Sequence, residues 1–254
     1  MIEIAAVTVT YKRPVQLGRM LACFLAQDYP LRELVILDDA GQYRNQEGDR
    51  WRLVSVGKRY PTLGAKRNAA VSLVSPGAEA IAVWDDDDCY LPWALTASAA
   101  ALERAGWSRP GLVLHAAPDG SGRLIQHRTW SDDPACKLYH AAWAFRRATF
   151  RQAGGYSPDV SNGEDQELMR RLERAKTEEA DPCQLGFPPF LVCSWGQGPW
   201  SVDGETPKLS WSGRHGYKRL GSVPGGKRAI APAMPTFFDL GDPNIAAGVR
   251  PRAF

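Results

Sequence analysis

The sequence has few cysteines and no long apolar run. Its five cysteines include no Cys-x-x-Cys pair, so we expect neither a disulfide framework nor a cysteine-based zinc site. No apolar segment approaches the roughly 20 residues that a transmembrane helix needs. The first ten residues, MIEIAAVTVT, lack the basic segment of a secretory signal and predict a first β-strand instead. These absences together predict a cytoplasmic location.

Neither sign of charge dominates the chain as a whole. The net charge is +3 over 254 residues, of which 44% are hydrophobic and 23% charged, a composition that excludes disorder throughout. The charge is uneven, however, because residues 204–254 carry eight Lys or Arg against three acidic residues. Residues 199–254 also contain seven prolines and eight glycines. We therefore predict one main domain at residues 1–198, followed by an irregular, basic extension at residues 199–254.

Strand and helix patterns alternate through the first half of the chain. Apolar runs at residues 2–10, 33–39 and 80–84 predict strands, and helical spacing after Pro14 and at residues 92–105 predicts helices between and after them. Such alternation indicates an α/β fold with a mostly parallel, Rossmann-like sheet flanked by helices. Ligands bind to these sheets outside the carboxyl ends of the strands.

Acidic residues occur at three places where ligands are expected. Residues 85–88 are four consecutive aspartates directly after an apolar strand, and two carboxylates about 4 Å apart repel by ~1 kcal/mol in water and ~4 kcal/mol near a protein surface. A cation would relieve this repulsion, and carboxylate oxygens suit Mg²⁺ or Mn²⁺. Asp38 and Asp39 end another strand. Glu164 and Asp165 begin a predicted helix, where acidic residues also serve as ordinary capping groups.

Four segments resemble, in order and spacing, family 2 of the GT-A glycosyltransferases. They are VTVTYKRPVQLGRMLACFLAQDYPLRELVILDDAG, GAKRNAA, AVWDDDDCYLPWAL and FRRATFRQAGGYSPDVSNGEDQELMRRL, which together cover about residues 4–175. They are similar to the family's first strand with its Asp-Asp-Gly strand end, its Gly-x-x-Arg-Asn segment, its Asp-x-Asp motif, and its Gly-Gly-Tyr and Glu-Asp segment. The Asp-Asp-Gly is Asp-Asp-Ala-Gly here, which leaves base selectivity open.

This resemblance implies a GT-A fold and an activity. The expected reaction is inverting, metal-dependent transfer of a hexosyl or pentosyl group from a nucleoside-diphosphate sugar, with a UDP-sugar as the first expectation, to an acceptor hydroxyl. The nucleotide-sugar site would comprise Thr8, Thr10, Tyr11, Arg13, Asp38, Asp39, Arg67, Asp85 and Asp86. Arg67 would help to hold the nucleotide or its phosphates.

The resemblance also implies a metal site and a base. Asp87 and Asp85 would hold Mn²⁺ or Mg²⁺, with Asp88 as a further candidate because the register Asp86-x-Asp88 stays open. His215, in the basic extension, is another candidate ligand. Asp165 would be the general base, with Glu164 beside it.

Several alternatives stay open at this point. A nucleotidyltransferase would share the carboxylates but would favour a Gly-rich phosphate loop after the first strand, which TYKRPVQLG lacks. A nucleotide-sugar-binding protein without catalysis is a second alternative. The acceptor is a saccharide or small molecule, or else a hydroxylated base in DNA. The basic extension, which mixes Lys218 and Arg219 with Trp211, suits contacts to phosphates and an extruded base, or shapes the acceptor site otherwise.

Overall fold

The computed structural model describes residues 1–116, 124–129 and 139–193, and strands and helices alternate along most of them. The helices are α1 (Pro14–Leu25), α2 (Leu63–Ser72), α3 (Ala94–Leu102), α4 (Arg147–Gln152) and α5 (Glu164–Arg174), with a 3₁₀ helix at Pro182–Leu185. The strands are β1 (Ile4–Thr10), β2 (Arg32–Asp38), β3 (Gln46–Gly48), β4 (Trp51–Ser55), β5 (Ala80–Val83), β6 (Cys89–Tyr90), β7 (Trp107–Ser108), β8 (Leu112–Ala116), β9 (Leu124–Arg128), β10 (Ala144–Arg146), β11 (Glu179–Ala180) and β12 (Leu191–Cys193).

An eight-stranded sheet has the order β11-β7-β10-β5-β1-β2-β4-β3. Its centre is parallel, since β1 pairs in parallel with both β2 and β5, and β2 pairs in parallel with β4. Strand β10 runs antiparallel between β5 and β7. A second sheet, β6-β12-β8-β9, has four strands. The predicted α/β architecture with a mostly parallel sheet is confirmed, and the carboxyl ends of β1, β2 and β5 meet at one edge.

Two apolar cores lie on opposite faces of the large sheet. Along β1 the side chains alternate: Ile4 and Ala6 pack with α1, α3 and the second sheet, whereas Ala5 and Val7 pack with α2, α4 and α5. Because both faces are covered, the central strands read as continuous apolar runs rather than as alternating patterns. This is why β1, β2 and β5 were recognisable from the sequence.

The sequence predicts strands at GLVLHAA and RLIQHRTW, which are β8 and β9, but it predicts neither their assembly into a second sheet nor the shortest strands. Strands β6, β7 and β11 have two residues each and β3 has three, which is too short for a period of two to be visible. Strand β6 directly follows the aspartates, and its pairing with β12 makes the acidic segment a loop between the two sheets rather than a simple strand end.

Some predictions fall outside this description. The basic extension at residues 199–254 and its His215 lie outside the described residues, so the division at residue 198 stays a prediction. Among the described residues, no helix is both long enough and apolar enough to cross a membrane. The cytoplasmic location also stays a prediction.

Helix α2 is interlocked with the loop that precedes α5. The backbone N–H of Gly64 donates to the carbonyl of Val160 (3.1 Å). Asn68 binds the backbone of Tyr156 twice, donating to its carbonyl (2.7 Å) and accepting from its N–H (2.9 Å). A Cβ on Gly64 would lie 2.0 Å from the carbonyl oxygen of Ser157, so the close approach requires glycine. These contacts fix the loop, and therefore the start of α5, against α2.

We expect Gly64→Ala to destabilise the protein although alanine is the better helix former. The added methyl group collides with backbone rather than with a movable side chain, and overpacking of this kind costs ~1 to 3 kcal/mol or more. Gly57→Ala is the matched control, because no atom lies within 4 Å of a Cβ placed there. Urea denaturation measures both variants. Equal stability of the two variants would contradict the interlock.

Candidate functional site

The acidic loop, residues 85–88, is held in place by two aromatic side chains. The rings of Trp84 and Tyr90 stack with centroids 3.9 Å apart and an interplanar angle of 3°. The N–H of Trp84 donates to the carbonyl of Val7 (3.0 Å), and the N–H of Asp85 donates to the hydroxyl of Tyr90 (2.6 Å). The apolar residues around the aspartates therefore define the path of the loop at the carboxyl end of β5.

Arg13, just after β1, neutralises one part of the acidic loop. Its Nη1 donates to Oδ1 of Asp86 (2.9 Å) and to Oδ2 of Asp87 (2.8 Å). The hydroxyl of Thr10 donates to the other oxygen of Asp86 (2.6 Å). Asp86 is thus buried between a cation and a hydroxyl, both provided by the β1 end of the site.

Arg67, on α2, neutralises the other part. Its Nη2 donates to Oδ1 of Asp85 (3.1 Å). Its Nε lies 3.3 Å from Oε1 of Glu164, an ion-pair distance without hydrogen-bond geometry. Two arginines from different elements therefore counter the repulsion among the aspartates, and one of them also reaches the start of α5.

The four aspartates alternate in accessibility. The side chains of Asp85 and Asp87 are 28% and 18% exposed, whereas Asp86 and Asp88 are buried. In the part of the chain that the structure describes, no group of three or more His, Cys, Asp or Glu side chains is arranged to hold a metal ion. The accessible oxygens still fit Mg²⁺ or Mn²⁺, which commonly bind one or two carboxylates together with substrate phosphates and water.

Burial and mutual repulsion change the ionisation of this loop. Burial, followed by the charges of Asp86 and Asp85, raises the pKa of Asp87 to about 6, against the opposing effect of Arg13. Burial also raises the pKa of Asp86, and Arg13 again opposes the shift. The folded protein therefore holds carboxylates that are less acidic than free aspartate.

The aspartates after β2 have internal partners. Asp38 is fully buried and accepts hydrogen bonds from the N–H groups of Ala40 (3.0 Å) and Gln42 (3.2 Å) and from the hydroxyl of Ser55 (2.7 Å). These contacts cap the turn after the strand. The carboxylate of Asp38 is thus held by the turn after β2 and by Ser55 at the end of β4.

Asp39 joins β2 to α2 through a buried lysine. Lys66 donates to Oδ1 of Asp39 (2.5 Å) and to the carbonyl of Thr10 (2.6 Å). The N–H of Tyr60 donates to the second carboxylate oxygen of Asp39 (3.1 Å). Burial lowers the pKa of Lys66, and Asp39 opposes this shift. Asp39 is 4% exposed, and we refer to the buried pair of Asp39 and Lys66 as the floor of the site.

Tyr11 lies in the bend after β1, which we call the rim of the site, and cationic side chains surround its ring. The backbone of Lys12 has a left-handed conformation (φ 54°), which places Tyr11 and Arg13 on either side of a sharp bend. The guanidinium of Arg59, from the loop after β4, lies 4.2 Å from the ring centre of Tyr11. Thr8, in contrast, is fully buried with its hydroxyl 3.7 Å from Sδ of Met20, and is not brought to this rim.

The start of α5 contributes Glu164 and Asp165. Gly163 precedes them in a left-handed conformation (φ 81°), a backbone geometry that glycine adopts without strain. Glu164 is buried beside Arg67, and Asp165 is partly exposed and accepts from the N–H of Gln166 (2.8 Å). Burial raises the pKa of both carboxyl groups, and Arg67 opposes both shifts.

Sequence reasoning missed four residues that support the site. Lys66 and Asn68 flank Arg67 in GAKRNAA, so their position beside a recognised arginine was an available signal. Tyr156 lies in the recognised Gly-Gly-Tyr segment, which was a further signal, whereas no pattern connected His140 to the site. The hydroxyl of Tyr156 lies 2.9 Å from Nε2 of His140, and burial, followed by the charge of Arg67, keeps the pKa of this histidine well below its usual value.

We expect Asp87→Asn to stabilise the protein at neutral pH in the absence of divalent ions. Because the folded-state pKa of Asp87 is raised from 3.8 to about 6, its ionised form costs stability, and this cost grows between about pH 4 and pH 6 and is complete above it. The gain should be about 1 to 3 kcal/mol at pH 7.5 and close to zero at pH 4. Chemical denaturation in EDTA measures the stability of the variant. Asp49→Asn, in an exposed loop, is the control. Destabilisation at pH 7.5 would show that the ion pair with Arg13 outweighs the repulsion.

Comparison with known proteins identifies the family of this region. The model of the family described as "Glycosyl transferase family 2" matches residues 5–130, which include β1, the Arg67 helix and the acidic loop but not the start of α5. The comparison with curated proteins gives no match.

Solved structures share the fold. S. aureus TarS, residues 1–349, superposes with a TM-score of 0.55 at 14% identity over 76% of this chain and 60% of that chain. TarS in complex with UDP-GlcNAc gives 0.54 at 14% identity over 80% and 61%. The mannosyltransferase PcManGT from Pyrobaculum calidifontis, in complex with GDP-Man and Mn²⁺, gives 0.52 at 17% identity over 76% and 56%. The chain thus spans between 56% and 61% of the length of these solved chains. Residues 5–130 of this chain therefore match glycosyl transferase family 2, and the described residues share the GT-A fold of these structures.

Proposed function

We propose that this protein is an inverting, metal-dependent glycosyltransferase that moves a sugar from a nucleoside-diphosphate sugar to an acceptor hydroxyl. One observation carries the proposal. Arg67 lies between accessible carboxylates at the end of β5 and the carboxylates at the start of α5, so the two acidic groups that such a reaction needs lie on either side of one side chain.

The donor is a nucleotide sugar, with a UDP-sugar as the first choice. TarS has been crystallised with UDP and UDP-GlcNAc, and PcManGT with GDP-Man and Mn²⁺. In this chain the bend at Tyr11 and the floor formed by Asp39 and Lys66 lie beside the acidic loop, as a nucleotide next to a metal would require. Arg59 and Tyr11 at the rim present flat groups against which a base can stack.

Asp85 and Asp87 are the residues that would hold the divalent ion. They are the two accessible members of the loop, which supports the register Asp85-x-Asp87 over Asp86-x-Asp88. When bound, the ion supplies positive charge for the diphosphate, which becomes more negative as it leaves. The contact of Arg13 with Asp87 would have to open for this carboxylate to bind the ion fully.

Asp165 is the general base in this proposal. The acceptor oxygen forms a bond to the anomeric carbon while the bond from that carbon to the diphosphate oxygen breaks, and the electron pair leaves with the diphosphate. The acceptor proton passes to the carboxylate of Asp165. Burial raises the pKa of this group, which makes it a stronger base, and general-base catalysis contributes ~10² to 10⁴ in rate. A single displacement inverts the anomeric configuration.

The acceptor is proposed to be a hydroxyl of a saccharide or small molecule. The basic composition of residues 204–254 favours a hydroxylated base in DNA as the second candidate, because Lys and Arg side chains bind phosphates. A panel of saccharides, plain duplex DNA and hydroxymethylated duplex DNA therefore belongs in every transfer assay, with binding compared at two salt concentrations.

A nucleotide screen should show metal-dependent donor binding. We expect UDP, UDP-GlcNAc or GDP-Man to raise the melting temperature in the presence of Mn²⁺, since a ligand at a hundredfold its dissociation constant stabilises by ~2.7 kcal/mol. Asp87→Ala should lose the Mn²⁺-dependent part of the shift while remaining folded. A screen in which no nucleotide stabilises the wild-type protein, with or without Mn²⁺, would overturn the proposed donor class.

Asp165→Asn should abolish most of the sugar transfer without weakening the binding of the donor. The amide is nearly isosteric but cannot accept the proton, so kcat should fall by ~10² or more with the donor dissociation constant preserved. Asp159→Asn, an exposed aspartate in the loop before α5, is the matched control. Joint loss of donor binding and activity would indicate a structural cap instead. Donor binding by the wild type with neither transfer nor donor hydrolysis would indicate a binding protein.

A further inference from the structure

Arg67 is largely buried at the junction between the two acidic groups. Its side chain is 11% exposed. One nitrogen contacts Asp85 in the acidic loop, another faces Glu164 at the start of α5, and the guanidinium carbon lies 5.9 Å from the ring centre of Tyr156. A guanidinium suits this place because its planar fork directs donors toward two carboxylates at once, which a lysine ammonium cannot reproduce.

We propose that Arg67 is a positioning residue, which fixes the base-bearing start of α5 relative to the donor-side carboxylates, and is not a ligand of the nucleotide. This inference rests on the proposed function. It differs from the sequence-based expectation that Arg67 holds the nucleotide or its phosphates, because in this structure Arg67 donates to Asp85 and lies at ion-pair distance from Glu164.

Contacts of the residues around Arg67 restrict its position. Its neighbour Asn68 binds both backbone groups of Tyr156, and Gly64, one turn earlier, packs on the same loop. The hydroxyl of Tyr156 is in turn tied to the buried His140. These contacts fasten the helix that carries Arg67 to the loop that leads into α5. The hydrogen bond from Arg67 connects both of them to Asp85 in the acidic loop.

Arg67, which lies 3.3 Å from the neighbouring Glu164, also influences the ionisation of the base. Asp165 is affected by burial and by the N–H of Gln166, then by Arg67 from α2, which lowers its pKa, and by Asp85 from the acidic loop, which raises it. Glu164 is the neighbouring residue on α5. Tyr156, whose hydroxyl contacts His140, also interacts electrostatically with Asp165. Removal of Arg67 should therefore raise the pKa of Asp165, so that the base is protonated up to a higher pH.

The test uses Arg67→Gln and Arg67→Lys, with Arg170→Gln on the exposed face of α5 as the matched control. We measure kcat and KM for the donor from pH 5.5 to 9, and the nucleotide dissociation constant by titration. Positioning predicts that both Arg67 variants lose ~10-fold or more in kcat, because small misplacements of reacting groups cost up to ~10²-fold. The nucleotide dissociation constant should change less than about 3-fold, well under the tenfold that corresponds to 1.4 kcal/mol.

The pH profile separates charge from geometry. The acidic limb of kcat should move to higher pH in Arg67→Gln, where Asp165 loses a cation, and should stay in place in Arg67→Lys, which keeps the charge but not the fork. Amide hydrogen exchange at residues 154–166 should increase in both variants. A purely structural arginine would lower stability without moving the limb.

Loss of the cation between the carboxylates of Asp85 and Glu164 can prevent folding, so a compensated variant is included. Arg67→Gln with Glu164→Gln removes one charge of each sign and should fold, with kcat still reduced. Unchanged kcat in folded Arg67 variants, or a nucleotide affinity that falls as much as kcat, would overturn the inference while leaving the proposed function intact. A wild-type protein that turns over no nucleotide sugar would instead overturn the proposed function.

Discussion

The site depends on the neutralisation of four consecutive carboxylates at the end of a buried strand. Like charges so close together are costly near a protein surface, and the chain counters them with Arg13 and Arg67. These arginines come from the bend after β1 and from helix α2. The acidic loop can therefore keep its geometry only while β1, β5 and α2 keep theirs, which makes the electrostatics of the loop a constraint on the whole carboxyl edge of the sheet.

The same constraint extends to the opposite side of the site. Arg67 reaches Glu164, and the loop before α5 is fastened to α2 by backbone contacts at Gly64 and Asn68. Burial, together with the repulsion that remains in the loop, raises the pKa of Asp87. A folded protein that keeps such a group sacrifices stability at a place where a divalent ion or a substrate can recover it, as is common for functional sites.

Much of the fold and part of the site could be predicted from the sequence. The strands β1, β2 and β5 are apolar runs that end in polar residues, and their order with the helices indicated a parallel sheet. The acidic loop and Arg67 were recognisable as motifs. The partners were not, because Arg13 and Asp86 are 73 positions apart and no local pattern encodes such a pairing. Asp38 carries the same motif signal as Asp39, yet its carboxylate caps its own turn, a choice made by backbone geometry.

The most direct test of this account is a crystal structure of the protein with Mn²⁺ and an unreactive UDP-sugar analogue. We expect the ion on Asp87 and Asp85 and on the diphosphate oxygens, Arg13 released from Asp87, Arg67 still between Asp85 and Glu164, and the carboxylate of Asp165 on the face of the sugar opposite the diphosphate. A nucleotide bound away from the acidic loop, or an Asp165 carboxylate on the same side of the sugar as the leaving group, would contradict it.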